Sequence, residues 1–160
     1  MTAITTVAEE FLKSKRVAVT GVSRHPSTHG ANVVYKRFRD RGYEVFAVNP
    51  NAATVEGDKS YPNLTAIPGG VDLVVIGTRP EIAEQTMHEA AELGIERVWM
   101  HGGPGKASCS PAAESFGRQH GITVINGGCP LMFGPTADTG HKLMRWIFGL
   151  TGAVPREIPA

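Results

Sequence analysis

The sequence has little of what would mark a secreted, metal-bound or membrane protein. It holds two cysteines, Cys109 and Cys129, too few for a disulfide framework, and neither stands in a zinc-type CxxC pair. None of the six histidines falls at HxH or HExxH spacing, so no metal site is expected. No run approaches the ~18 apolar residues of a membrane span. The apolar stretch Val7–Leu12 is broken by Glu9 and Glu10, which is unlike a secretory leader. Neither sign of charge prevails, with 16 Lys and Arg against 15 Asp and Glu. There is no basic stripe or polybasic tail to engage nucleic acid or an anionic membrane. The expectation is a cytoplasmic protein.

What the chain does have is glycine and proline: 19 and 11 of 160 residues, above the ~7% and ~5% background and without a collagen-like period. With 41% hydrophobic residues, the rest reads as one globular domain, taken here as residues 1–150 with a loosely held tail over 151–160. Thr6 and Glu9 form a capping-box pattern on a helix whose stripe is Ile4, Val7, Ala8, Phe11 and Leu12. Apolar runs at Val17–Val19, Val45–Val48, Val71–Ile76, Val98–Met100 and Ile122–Ile125 read as buried strands. A shorter edge strand is expected near Asp58–Tyr61, and a helical turn near Leu64–Ile67. Amphipathic helices alternate with these runs. One carries Ala31, Val34, Tyr35 and Phe38, and one opens at Thr78-Arg79-Pro80-Glu81. Another starts at Ser110-Pro111, and the last carries Leu143, Met144, Ile147 and Phe148. Throughout-apolar strands alternating with helices predict an α/β fold: a Rossmann-like, doubly wound, mainly parallel sheet in three α/β/α layers.

In such a sheet ligands bind beyond the carboxyl ends of the strands, near the point where strand order reverses. Those ends read Gly21-Val22-Ser23, Asn49-Pro50-Asn51, Gly77-Thr78-Arg79-Pro80, His101-Gly102-Gly103-Pro104-Gly105 and Gly127-Gly128-Cys129-Pro130. All but the second contain glycine, and all but the first contain proline. Small residues let a backbone approach a ligand and offer N–H groups to it. The first loop, Gly21 to Gly30, leads into a helix N-terminus suited to a diphosphate. Arg24 adds a charge there, and Ser23, Ser27 and Thr28 add hydroxyl groups. It is not GxGxxG, because Ser23 stands in place of the second glycine. The second strand ends in Asn49, where an NAD site carries Asp or Glu for the ribose diol. A neutral end does not repel a phosphorylated ribose such as that of NADP or coenzyme A.

Taken together, "VAVTGVS", "YEVFAVNP", "VDLVVIGTRPE", "GIERVWMH" and "GCP" resemble the stand-alone coenzyme A-binding proteins, whose fold is similar to the N-terminal domain of the succinyl-CoA synthetase α subunit. The resemblance covers about residues 7–130. It implies that coenzyme A or an acyl-CoA is the ligand. Gly21, Val22, Ser23 and Arg24 would then hold the phosphates, with the Ser27 hydroxyl on the same loop, and Asn49 and Pro50 would lie by the adenosine. Thr78, Arg79 and Pro80 would line the pantetheine path, with His101, Cys129 and Pro130 towards its far end. It does not extend to synthetase activity: His141 matches no phosphohistidine motif, and the synthetase relies on a further domain and a second subunit.

No catalytic residue is assigned, since neither a GxSxG elbow nor a GxxxxGK[ST] loop is present. The expectation is a non-catalytic carrier, sensor or accessory protein serving a partner enzyme. An NADP-dependent oxidoreductase or an oligomerisation module built on the same fold are the alternatives. Trp146 on the last helix fits core packing and a homodimer interface equally well.

Overall fold

The computed structural model describes residues 1–25, 30–103, 108–152 and 154–159. In chain order the elements are β1 (Thr2–Ala3), α1 (Ile4–Phe11), β2 (Arg16–Thr20), α2 (Gly30–Asp40), β3 (Glu44–Val48), β4 (Thr54–Val55) and β5 (Asp58–Tyr61). There follow β6 (Leu73–Ile76), α3 (Pro80–Glu92), β7 (Arg97–Met100), α4 (Pro111–Gln119), β8 (Thr123–Asn126), α5 (Thr139–Thr151) and β9 (Glu157–Ile158). The main sheet runs β4-β5-β3-β2-β6-β7-β8, parallel except for the β4–β5 hairpin at its edge. From β2 the chain winds outward through α2 to β3. It then crosses back to β6 and winds the other way through α3 and α4. The order therefore reverses between β2 and β6, as a doubly wound sheet requires.

The apolar runs are continuous because each face of the sheet is covered. Val17, Val19, Leu73, Val75, Trp99 and Ile125 point into one cluster with α1 and α2. Ala18, Val74, Ile76, Val98, Met100 and Val124 point into the other, with α3 and α4. This period-2 alternation within uniformly apolar strands is the signature of a two-sided parallel sheet. Trp99 is fully buried and anchors the first cluster. Its ring meets Phe11 edge-on at 6.2 Å, and its indole N–H donates to the Gly127 carbonyl at 3.0 Å.

Three local expectations are corrected. The helix carrying Thr6 starts earlier, at Ile4, with Ala3 as an N-cap that makes no side-chain bond, so Thr6 and Glu9 form no capping box. The helix expected to open at Thr78 begins at Pro80 with Arg79 as its N-cap, and again no side chain caps it. Pro80 at the first helical position sets the start, because its fixed φ suits a helix and its missing N–H needs no partner. The C-terminal tail is held rather than loose: β9 pairs antiparallel with β1, and Val154 and Ile158 are buried in the first cluster. Ser110 does cap α4, accepting from Ala113 N–H at 3.1 Å. Asp72 stands before β6 and accepts from Arg16 N–H.

Candidate functional site

At the reversal point the loops after β2 and β6 nearly touch. Gly21 has φ +78°, and a Cβ on it would lie 2.4 Å from the Gly77 carbonyl oxygen. A Cβ on Gly77 would lie 2.6 Å from Ala31 Cβ and 2.7 Å from the Thr20 carbonyl oxygen. Gly77 N–H closes the gap by donating to that Thr20 oxygen at 3.1 Å. Two glycines thus let the first turn of α2 sink onto the strand ends, with Ala31 against Gly77. α2 has no acidic residue in its first turn, so the partial positive charge of its N-terminus is not offset there.

A cleft of about 560 Å³ opens beside this contact, within the range of small-molecule sites. Of the residues expected to bind a ligand, it is lined by Gly21, Ser23, Asn49, Pro50, Thr78 and Arg79. Leu64 and Ile82 supply apolar wall, and Glu89 lies along the α3 side. The Glu89 carboxylate is already engaged by the backbone N–H and hydroxyl of Thr65, each at 2.9 Å. The Thr78 hydroxyl is buried and finds no partner among the described residues, which is unusual for such a group.

The remaining expected residues are placed differently. Val22 is fully buried. Arg24 is exposed on the loop next to Ser23, and Ser27 lies outside the described residues. Pro80 begins α3. His101 follows β7 one strand further along, its ring against Gly30 at the start of α2. Burial, and then the neighbouring His141, hold its pKa below the usual imidazole value. Cys129 and Pro130 are buried at the start of a short 3-10 turn over Pro130–Met132, outside the cleft lining. Among the described residues no group of three His, Cys, Asp or Glu is placed to hold a metal ion.

Burial pushes the Cys129 thiol pKa up to about 12, so its thiolate fraction at pH 8 falls some ~1,000-fold below that of an ordinary thiol. In a Cys109→Ser variant, thiol titration of the native protein at pH 8 should therefore read close to zero, and one thiol per chain after denaturation. Rapid labelling of the native variant would contradict this placement.

Two asparagines fix the first loop. The fully buried Asn32 accepts from Ser23 N–H and donates to the Ser23 carbonyl, both at 2.8 Å, and its amide also donates to Glu56 at 2.8 Å. Asn49 donates to the Val22 carbonyl at 2.9 Å and accepts from Asn51 N–H at 2.8 Å. Asn49, expected beside a nucleoside, thus also has a structural task. Glu56 reaches Asn32 from the β4–β5 turn, where Glu56 and Gly57 have φ of 51° and 81°, the positive pair of a tight hairpin turn. Asn32 was not among the expected site residues. Its only sequence signal is a polar residue adjoining the apolar stripe of α2.

Near His101, Asp138 caps α5. It accepts from the His141 backbone N–H and ring, and pairs with Arg37 of α2 at 3.0 Å. The His141 bonds and then the Arg37 contact hold its carboxyl well below the usual range. This joins the first turn of α5 to α2.

Residues 15–135 match the family described as CoA binding domain. The chain is 32% identical over 123 residues to protein YneT of Bacillus subtilis (strain 168), covering 77% of this chain and 87% of that one. It is 36% identical over 119 residues to the Acetate--CoA ligase [ADP-forming] II of Archaeoglobus fulgidus, covering 69% of this chain and 18% of the ligase. The chain spans less than a third of the length of the ligase relatives it matches. A solved structure of a hypothetical protein from Pyrococcus horikoshii OT3 superposes with a TM-score of 0.68 at 27% identity, over 74% of this chain and 81% of that one. With three quarters of its length inside the family's bounds, and with the strand-end glycines that build its cleft inside the same segment, the chain belongs to the CoA binding domain family.

Proposed function

We propose that this chain binds coenzyme A, free or acylated, in the cleft between the ends of β2, β3 and β6, and serves as a carrier, sensor or accessory protein without a reaction of its own. The observation that carries the reading is the Gly21–Gly77 contact, which seats α2 against the crevice and leaves backbone, rather than side chain, as its floor. The start of α3 at Arg79, beside that glycine floor, suits a diphosphate. Arg24 and Arg79, both exposed, would meet the phosphates from the rim. The end of β3 presents the amide of Asn49 instead of a carboxylate, so a 3′-phosphorylated ribose would not be repelled. The apolar wall of Leu64 and Ile82 suits a nucleobase face or a pantetheine arm. Family membership supports the same ligand. No helix among the described residues is long and apolar enough to cross a membrane.

Thermal unfolding tests this directly. A ligand at 100 times its Kd stabilises a protein by ~2.7 kcal/mol, which for a domain of this size is a rise of about 5–10 °C. Coenzyme A should produce such a rise, and NADP should not. Arg24→Ala and Arg79→Ala should each weaken coenzyme A several-fold, and pantetheine hardly at all. A shift with NADP alone, or equal losses for coenzyme A and pantetheine, would overturn the reading.

A further inference from the structure

The cleft is electrically polar along α3. Among the described residues its lining carries one cation, Arg79, and one anion, Glu89. They stand near opposite ends of the helix, ~15 Å apart along its axis. The helix dipole has the same sense, positive at Arg79 and negative towards Glu89. Between them Ile82 and Thr86 continue one face of α3 at helical spacing, and all three line the cleft with Leu64. The Thr86 hydroxyl is taken up within its own helix, donating to the Ile82 carbonyl at 3.0 Å. Glu89 is only half committed. Its Oε1 accepts from both the N–H and the hydroxyl of Thr65, and its Oε2 has no partner among the described residues. A bare carboxylate oxygen in a cleft suited to phosphates repels them, unless the ligand turns a donor towards it.

We infer that Glu89 reads the nucleobase, its Oε2 accepting from the 6-amino group of an adenine that lies against Leu64 and Ile82. This assignment rests on the coenzyme A reading and deepens it by fixing which way round the ligand lies. The phosphates belong at the Arg79 end and the base at the Glu89 end. The N–H donors of coenzyme A are the amides of the pantetheine arm and the adenine amine. The amine alone stands at the edge of a rigid apolar face, which is what an apolar wall ending in one acceptor fits. The single open oxygen matters as well. Guanine presents adjacent N–H donors that suit a carboxylate with both oxygens free, and Thr65 occupies one of them. A base with a 6-carbonyl would set its own lone pairs against Oε2, so the same atom that accepts from adenine rejects that rival.

Calorimetric titration with adenosine 3′,5′-bisphosphate and inosine 3′,5′-bisphosphate tests the assignment, since the second carries a 6-carbonyl in place of the amine. The parent protein should bind the adenosine compound ~10-fold or more tightly than the inosine one, as expected for a hydrogen bond to a charged group. In Glu89→Gln the Thr65 N–H, which can only donate, holds the amide oxygen, so the amide NH2 takes the place of Oε2. That group donates to a 6-carbonyl, and the preference should reverse towards inosine. Glu89→Ala should bind both compounds alike. Glu89 is partly exposed, so far-UV circular dichroism of both variants should match the parent. Equal affinities of the parent protein for the two compounds overturn the assignment. So does a preference for adenosine that persists unchanged in both variants. Coenzyme A separates this from failure of the underlying reading. If it still stabilises the protein, only the place of the base is wrong; if neither it nor either bisphosphate binds, the reading of the cleft falls as well.

Discussion

Gly21→Ala should lower stability by about 3 kcal/mol and weaken coenzyme A at least ~10-fold, although it adds a single methyl group. Two penalties combine at this position. An alanine held at φ +78° sits in the left-handed region, at a penalty of ~1–2 kcal/mol. Its Cβ would also stand 2.4 Å from the Gly77 carbonyl oxygen, an atom of backbone that cannot rotate away, and relieving such overlap costs typically ~1–3 kcal/mol. The relief available is to part the β2 and β6 loops, which withdraws the floor of the cleft. Gly42→Ala is the matched control. Gly42 has φ +83° but nothing within 4 Å of its Cβ position, so only the conformational penalty applies, and the cleft is untouched. Thermal melts and coenzyme A titrations of both variants separate the two contributions. Equal melting losses, with coenzyme A affinity retained in Gly21→Ala, would show that the close approach does not shape the site.

Those two glycines also show what the sequence made legible. Apolar runs bounded by turn residues marked the strands, because a parallel sheet buried on both faces has no polar side to break the run. The same logic located the strand ends, and with them Gly21, Ser23, Asn49, Thr78 and Arg79, which the fold brings to one cleft. Features that depend on distant partners stayed out of reach. Strands β1 and β9 are two residues each, too short for any period, and their pairing joins the two ends of the chain. The start of α1 is likewise set by tertiary contact, with Ile4 N–H donating to the Arg156 carbonyl at 3.0 Å in place of the cap offered by Thr6. Cys129 and Pro130 follow a strand and so read as cleft residues. The chain instead turns inward after Gly128, and Leu131 and Met132 carry that turn into the core.

Asn32→Ala should be as damaging as the glycine change, by a different route. The substitution removes an amide with no exposed surface that makes three bonds of 2.8 Å. It leaves the N–H and carbonyl of Ser23 without their partners. An unpaired buried group costs about 1–3 kcal/mol, and a bond to a charged acceptor such as Glu56 is worth ~1.5–3 kcal/mol, so a loss of about 3 kcal/mol is expected. The Ser23 loop should lose its fixed geometry at the same time, with coenzyme A affinity falling ~10-fold or more. Asn32→Asp distinguishes the bonds from the shape. The new carboxylate fits the space and still accepts from Ser23 N–H, but it faces the Ser23 carbonyl and the Glu56 carboxylate. Like charges at such a separation raise the folded-state pKa of the new group above its unfolded value. The folded form then binds a proton more readily than the unfolded form, so the stability deficit should shrink as pH falls from 7 towards 4. The Asn32→Ala deficit, relative to the parent protein at each pH, should stay nearly flat over that interval. Urea unfolding at pH 7 and pH 4.5 measures both. A pH-independent deficit for Asn32→Asp would place the Glu56 carboxylate too far away to matter, and the loop would then be held by the two Ser23 bonds alone.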